Sequence, residues 1–487
     1  MNGSNKTVFS IFGGTGDLTH RKLLPALFDL FVLEEITVSN FQLLIIGRRE
    51  YTSDIYREQA RVSIEKYARF NKKKELYDQF LAIMTYVQVD YTTLDDYVKL
   101  KEAIQTQGCR HLFYLAVAPS SFSTITTNLK LSKIVDDSCE KQLLIEKPFG
   151  DDLASAIQIN DEIKQVFDEE EIYRIDHYLA KEMIINILTI RFSNQVFKSL
   201  WNKESIENIQ ISITEQVGVG DRGGYYDTSG ALKDMFQSHL IQMLTYVLMD
   251  EPKSMSPQDI HHAQEKVIDY LELADTEHFS DSFVRGQYLA NKDSSGYLEE
   301  NRIHPESETE TFVAMEIRSN NTSLEGIPIY VRTGKRMEKQ ETVVAITFKH
   351  PEGFMAKNAP QNVLVIRVGP DEGIYFKVNI KRPGNYDEIQ SVTMDFCQSC
   401  IYENRLNTPQ AYERLLMMAL RNDRTLFTSW KMARQSWELT EEIQKRSQIA
   451  NIPLTNYLAY TQGPIKAWEI LQKNGHEWYT EDIFMNQ

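Results

Sequence analysis

Residues 8–22 read VFSIFGGTGDLTHRK, and this stretch decides the fold. Val8-Phe9-Ser10-Ile11-Phe12 is an apolar run with the character of a buried strand, and Gly13-Gly14-Thr15-Gly16 follows at once. Beyond it, Leu18, Leu23, Leu24, Leu27, Phe28 and Phe31 form a periodic helical stripe. A strand, a glycine turn and a helix in that order bring orphan N–H groups and the positive end of the helix dipole to one point. Such a point holds an anion, and glycines let a diphosphate approach the backbone. The spacing is not the standard Gly-x-Gly-x-x-Gly fingerprint. Gly13, Gly14, Thr15, Gly16, Asp17 and Leu18 are the candidate cofactor-binding residues of this turn.

A second apolar run, Phe41 to Ile46, ends at Gly47-Arg48-Arg49. Binders of NAD usually carry Asp or Glu at this place, whereas a guanidinium suits a ribose 2′-phosphate through bidentate hydrogen bonds. Arg48 and Arg49 therefore point to NADP, with NAD as a weaker alternative. The charged segment from Thr52 to Gln79 reads as a surface helix. Further strands are expected at Tyr86–Val89, His111–Val117 and Gln142–Ile145, with helical stretches between them. Alternating strands and helices predict an α/β Rossmann-type doubly wound domain over residues 1–175.

The pattern then changes. Residues 176–487 are expected to form a larger α+β domain with a mostly antiparallel sheet. Residues 207–215 alternate as a half-buried strand, and TFVAMEI, IPIYVRT, TVVAITF, VLVIRV and YFKVNI follow as successive strands between 311 and 380. Gly218 to Gly230 reads as a glycine-rich loop, and Ala231 to about Met249 as a long helix. His239 lies within that helix's apolar stripe, as a core residue or as a general base on a rigid support. Before these, Arg174-Ile175-Asp176-His177-Tyr178-Leu179-Ala180-Lys181 packs five polar groups into a short span. If a helix begins near Tyr178, then His177, Tyr178 and Lys181 share a face and offer donors to a phosphate monoester. Lys147, in Glu146-Lys147-Pro148, ends a strand at the edge of the parallel sheet where ligands bind in such folds.

The net charge of −16 argues against nucleic acid or an anionic membrane as partner. A small anion stays possible, because charges are screened beyond about 8–10 Å. No apolar signal core opens the chain and no run of about 20 apolar residues occurs, so the expected compartment is cytoplasmic and reducing. The four cysteines are too few for a disulfide scaffold. Cys397 and Cys400 form a lone C-x-x-C pair, with a structural or incidental role expected. No metal is expected.

The strings FGGTGDLTHRKLLP, IEKPFG, YRIDHYLAKE, GDRGGYYDTSGALKDMFQSHLIQML, VRGQY, YVRTGKRM and AYERLL resemble the glucose-6-phosphate dehydrogenase family, from residue 12 to beyond 410. That resemblance implies oxidation of glucose 6-phosphate with NADP, the entry step of the pentose phosphate route. It implies His239 as general base and Asp176 as the group orienting it. It gives His177, Tyr178 and Lys181 to the sugar phosphate, together with Lys335 or Lys339 of the Gly-Lys loop. Glu215 and Asp234 match carboxylates that contact sugar hydroxyls, and Lys22 and Lys147 match lysines near cofactor and substrate. It also implies a homodimer or a dimer of dimers. Ala180 stands for a usual Gly, the arginines after Gly47 are displaced, and Gly369 stands for a usual Gln. The rival readings are a sugar oxidoreductase of the Gfo/Idh/MocA type and a catalytically silent NADP-binding regulator.

Overall fold

A computed structural model describes residues 6–104, 110–135, 140–274, 277–356, 359–384, 388–398 and 408–480. The chain divides into two compact units. One comprises Met1–Ala180, Ser256–Gln258 and Pro409–Arg434, and the other Lys181–Met255, Asp259–Thr408 and Gln435–Gln487.

In the first unit the apolar runs become strands β1 (Thr7–Phe12), β2 (Phe41–Gly47), β3 (Met84–Gln88), β4 (Arg110–Leu115), β5 (Lys141–Glu146) and β6 (Ile172–Ile175). They lie in the order β6-β5-β4-β1-β2-β3, all parallel. Sheet order reverses at β1, which has β2 on one side and β4 on the other. Continuous burial along β1 and β2 follows from coverage on both faces, which is why they read as unbroken apolar runs.

Two features of this unit depart from local patterning. The charged segment after Arg49 is two helices, Ser53–Tyr67 and Lys74–Ala82. The break has a partner: the carboxylate of Asp29 accepts the backbone N–H groups of Arg69 and Phe70 at 3.0 and 3.1 Å. Burial pushes the Asp29 carboxyl up to about 6, and those two N–H groups pull against it. The second departure is the return of Pro409–Arg434. Helix Ala411–Leu420 packs on helix Leu24–Val32, and Phe427–Thr428 pairs antiparallel with β6. Arg69 grips Glu413 with two guanidinium nitrogens, and Arg110 donates to the carbonyls of Ala419 and Leu420.

The second unit is built on β7 (Ile206–Thr214), β8 (Leu271–Leu273), β9 (Phe283–Leu289), β10 (Phe312–Ser319), β11 (Ile329–Gly334), β12 (Glu341–Phe348), β13 (Val363–Gly369), β14 (Gly373–Lys381) and β15 (Ile389–Cys397). The sheet order is β15-β14-β13-β12-β7-β11-β10-β9, closed by Leu454–Leu458, with β8 on β10. All pairs are antiparallel except β7 with β11 and β9 with Leu454–Leu458. The α/β plus α+β fold class is thus observed.

β7 is not half-buried. Gln210, Ser212 and Thr214 are enclosed because β7 is central and the polar face is covered too. Gln210 donates to the carbonyl of Glu477, Ser212 accepts from Arg332, and Thr214 donates to the carbonyl of Lys339. Cys397 closes β15 and is disulfide-bonded, while Cys400 lies outside the described residues, as do Cys109 and Cys139. Among the described residues, no helix is long and apolar enough to cross a membrane.

Candidate active site

In the first unit the glycine turn leaves β1 at the point where sheet order reverses. Gly13 has φ +85°, and a Cβ there would lie 2.1 Å from the carbonyl oxygen of Ala116. A Cβ on Gly14 would lie 2.2 Å from a methyl group of Ile45. Both positions therefore require glycine, and the turn is held from several sides. Gly14 N donates to Ile46 O, Gly16 N to Gly13 O, Gly13 N to the Tyr91 hydroxyl, and the Tyr56 hydroxyl to Gly14 O. The chain is helical from Asp17, with wide π-helical turns over Thr19–Leu23 before the α-helix Leu24–Val32. The bare backbone and the helix start fit a dinucleotide diphosphate. Lys22 is exposed in the π-helical stretch.

Arg48 and Arg49 are both exposed just past β2. Arg49 hydrogen-bonds the hydroxyl of Tyr51 and, ahead of Gln59, holds that phenol below its usual range. The charge of Arg48 reaches Asp90 and Tyr91 instead. The two guanidinium groups flank the turn's neighbourhood with different partners.

Asp176 follows β6 and is buried, with its carboxylate accepting the N–H of Tyr178 at 2.9 Å. His177 is exposed, Tyr178 half-buried, and their rings lie 5.1 Å apart. The expected helical face does not exist here. Residues 177–180 form turns, and Lys181 has extended backbone (φ −70°, ψ 134°) at the start of helix Glu182–Ser193. The Asx-type bond from Asp176 competes with helix formation and delays the helix start. Lys147 follows β5 and is half-buried.

In the second unit Glu215 and Lys335 extend from the ends of the parallel neighbours β7 and β11. Lys335 Nζ donates to Glu215 at 2.5 Å and stands 5.1 Å from the ring centroid of Tyr226. Tyr226 is enclosed, and its phenol is pushed well up by burial first, then by the charges of Asp234, Glu310 and Glu215. Tyr226 thus gathers Asp234, Glu215 and Lys335 around one ring. Sequence reasoning gave it no role, since only the tertiary fold places those charges around it. Arg222 lies 3.6 Å from Asp234.

His239 is buried. The expected loop and long helix are a helix Gly223–Ala231, a π-helical stretch Leu232–Leu240 and an α-helix Ile241–Leu248. Gly230 (φ +66°) makes the break: a Cβ there would meet the Glu310 carboxylate at 2.5 Å. Asp234 and His239 both sit on the π-helical stretch, which packs on β11. Such wide turns recur at functional sites. Lys339 lines a cavity with Thr214, Arg332 and Glu341 that includes neither Lys335 nor Glu215. Lys181 Nζ lies 3.5 Å from where a Gly369 Cβ would stand, so Gly369 leaves open space beside that ammonium.

Residues 10–186 match the family model "Glucose-6-phosphate dehydrogenase, NAD binding domain", and residues 188–479 match "Glucose-6-phosphate dehydrogenase, C-terminal domain". The chain is 37% identical to glucose-6-phosphate 1-dehydrogenase of Bacillus subtilis (strain 168), covering 97% of this chain and 98% of that protein. It is 34% identical to the Leuconostoc mesenteroides enzyme of the same name, covering 97% and 98%. A solved structure described as glucose-6-phosphate dehydrogenase in complex with its substrate glucose-6-phosphate superposes with TM-score 0.90 at 31% identity, covering 99% and 100%. A Gal80p mutant from Saccharomyces cerevisiae shares only the fold, with TM-score 0.52 at 10% identity.

Proposed function

Because the chain belongs to the glucose-6-phosphate dehydrogenase family, we propose that it oxidises D-glucose 6-phosphate at C1 to 6-phospho-D-glucono-1,5-lactone with NADP, and with NAD less well. The observation that carries this reading is the match of both family domains, over 10–186 and 188–479, to a chain that keeps the base and the cationic groups the reaction needs. This is the entry step of the pentose phosphate route.

Residues 13–18 with Lys22, Arg48 and Arg49 hold the dinucleotide, which when bound supplies the hydride acceptor. Hydride leaves C1 only as the C1 hydroxyl loses its proton, and His239 takes that proton as general base. Asp176 fixes the tautomer and favours the imidazolium that forms. His177, Tyr178, Lys181 and Lys335 hold the phosphate, with Lys339 as a further candidate. Lys147 serves cofactor and substrate, and Glu215 and Asp234 take sugar hydroxyls. The phosphate is remote from C1, so its binding energy positions the ring for attack.

Absorbance at 340 nm tests the function, with glucose 6-phosphate or glucose and with NADP or NAD. We expect a strong rise with the phosphate ester and NADP, and no rise with glucose; inertness toward the ester with both dinucleotides refutes the reading. Arg48→Ala and Arg49→Ala test the dinucleotide preference. At least one should raise KM for NADP by roughly 10–100-fold, the worth of a charge-assisted hydrogen-bond pair, with KM for NAD nearly unchanged. Equal effects on both dinucleotides would remove the argument for the 2′-phosphate. His177→Asn should weaken sugar-phosphate binding by about tenfold with turnover less affected; an unchanged KM would rule His177 out of the cradle.

The proposal includes the cytoplasm as compartment, since a charged phosphate ester does not cross a membrane unaided. It also includes a homodimer or dimer of dimers, supported by Ile380, Met394 and Phe396 exposed on the outer strands β14 and β15. Light scattering should return two or four times 56.5 kDa.

A further inference from the structure

Glu146 is the last residue of β5 and has no part in the reaction just described. Its half-buried carboxyl accepts a hydrogen bond from the Tyr114 hydroxyl on β4 and another from Tyr412 on helix Ala411–Leu420. The β5–β6 register pairs Glu146 with Ile175, the residue before Asp176, and the Asp176 charge pushes the Glu146 carboxyl up. Two acids and two phenols therefore share the C-terminal edge of the parallel sheet in the first unit. Among the described residues, Tyr114, Tyr412 and Asp176 are titratable groups that act on this carboxyl, and Lys147 follows it in the chain.

We propose that Glu146, gripped by Tyr114 and Tyr412, is a positioning residue that sets the charge and orientation of Asp176, and through it tunes the base. This rests on the reading of Asp176 as the partner of His239. Two neighbouring carboxyl groups in a poorly solvated setting do not ionise independently, and the pair holds a proton longer than either alone. Burial pushes Glu146 up to about 7; the two phenols pull it down, and Asp176 pushes it further up. Near neutral pH a proton therefore enters and leaves this cluster. When it leaves, a second negative charge stands beside Asp176 and favours a proton on the base that Asp176 orients.

The experiment is kcat/KM for glucose 6-phosphate from pH 5 to 9 in the parent enzyme, Glu146→Gln and Tyr412→Phe, with His239→Asn in parallel. Glu146→Gln removes the second charge, so the base loses its proton more readily. Its acid limb should move to lower pH by several tenths of a unit or more. Tyr412→Phe removes one donor to the Glu146 anion and keeps that carboxyl protonated longer. It should shift the same limb the same way by a smaller step, and it covers the case in which Glu146→Gln does not fold. A limb that stays in place while rates merely scale overturns the proposal and leaves the family reading standing. Near-normal turnover in His239→Asn sinks the base assignment and this proposal with it.

Thermal unfolding against pH is a readout independent of catalysis. The folded value of about 7 lies above the ordinary 4.5, so the Glu146 contribution is fully present below about 4.5 and is lost as pH rises through about 7. The Tm of Glu146→Gln should therefore gain on the parent between pH 5 and 8. A constant Tm difference over that range overturns the titration on which the tuning depends.

Discussion

Replacing His239 with Asn is expected to lower turnover by at least about a hundredfold while leaving the affinity for glucose 6-phosphate close to that of the parent enzyme. The argument is chemical first. Withdrawing hydride from a carbon whose hydroxyl keeps its proton develops positive charge that nothing offsets, so proton removal must keep step with hydride transfer. Asn preserves approximate size and a polar end but cannot accept a proton. The ring sits on the π-helical stretch Leu232–Leu240 with its side chain enclosed, so solvent is a poor substitute base. Ground-state binding depends mainly on the cations proposed for the phosphate, which the substitution does not touch. Steady-state kinetics with a direct binding measurement separates the two quantities. Turnover within threefold of the parent would mean that another group removes the proton.

Gly13→Ala should be the most damaging single change in the first unit. Two penalties add. Ala must adopt φ near +85°, costing of the order of 1 kcal/mol. Its Cβ must then displace the Ala116 carbonyl from a distance of 2.1 Å, and overpacking costs typically ~1–3 kcal/mol. Together these suggest roughly 2–4 kcal/mol. The carbonyl in question follows β4, so relief pushes β4 away from its neighbour β1, where sheet order reverses. We expect a fall in Tm of several degrees and a dinucleotide affinity weakened by tenfold or more, measured by calorimetry and by fluorescence titration. Unchanged values of both would show that the turn can relax, and that the glycine is not required there.

Lys335 is paired with Glu215 and stands over the ring of Tyr226, so the fold itself orients its ammonium. A buried charge held by an opposite charge and a ring loses less freedom on binding than a solvated one.

What local sequence could determine was whatever depends on neighbours within a few residues. The run Val8–Phe12, the glycine turn and the following apolar stripe announce a strand, a phosphate turn and a helix, because burial and backbone geometry act at short range. The same holds for the strands from Phe312 onward. The strings around Asp176, His177 and His239 carried the family and the candidate chemistry with them. Tertiary structure alone decided the rest. Residues 177–180 are turns because one carboxylate bonds a nearby N–H in place of the helix ladder, a competition that periodicity does not register. β7 hides its polar face because chain far away in sequence, as at Glu477, covers it. Tyr226 and Glu146 acquire much of their setting from groups far off in sequence, such as Lys335 and Tyr412. Charge and burial act through space, so a side chain's environment is set by whichever distant segments the fold brings against it.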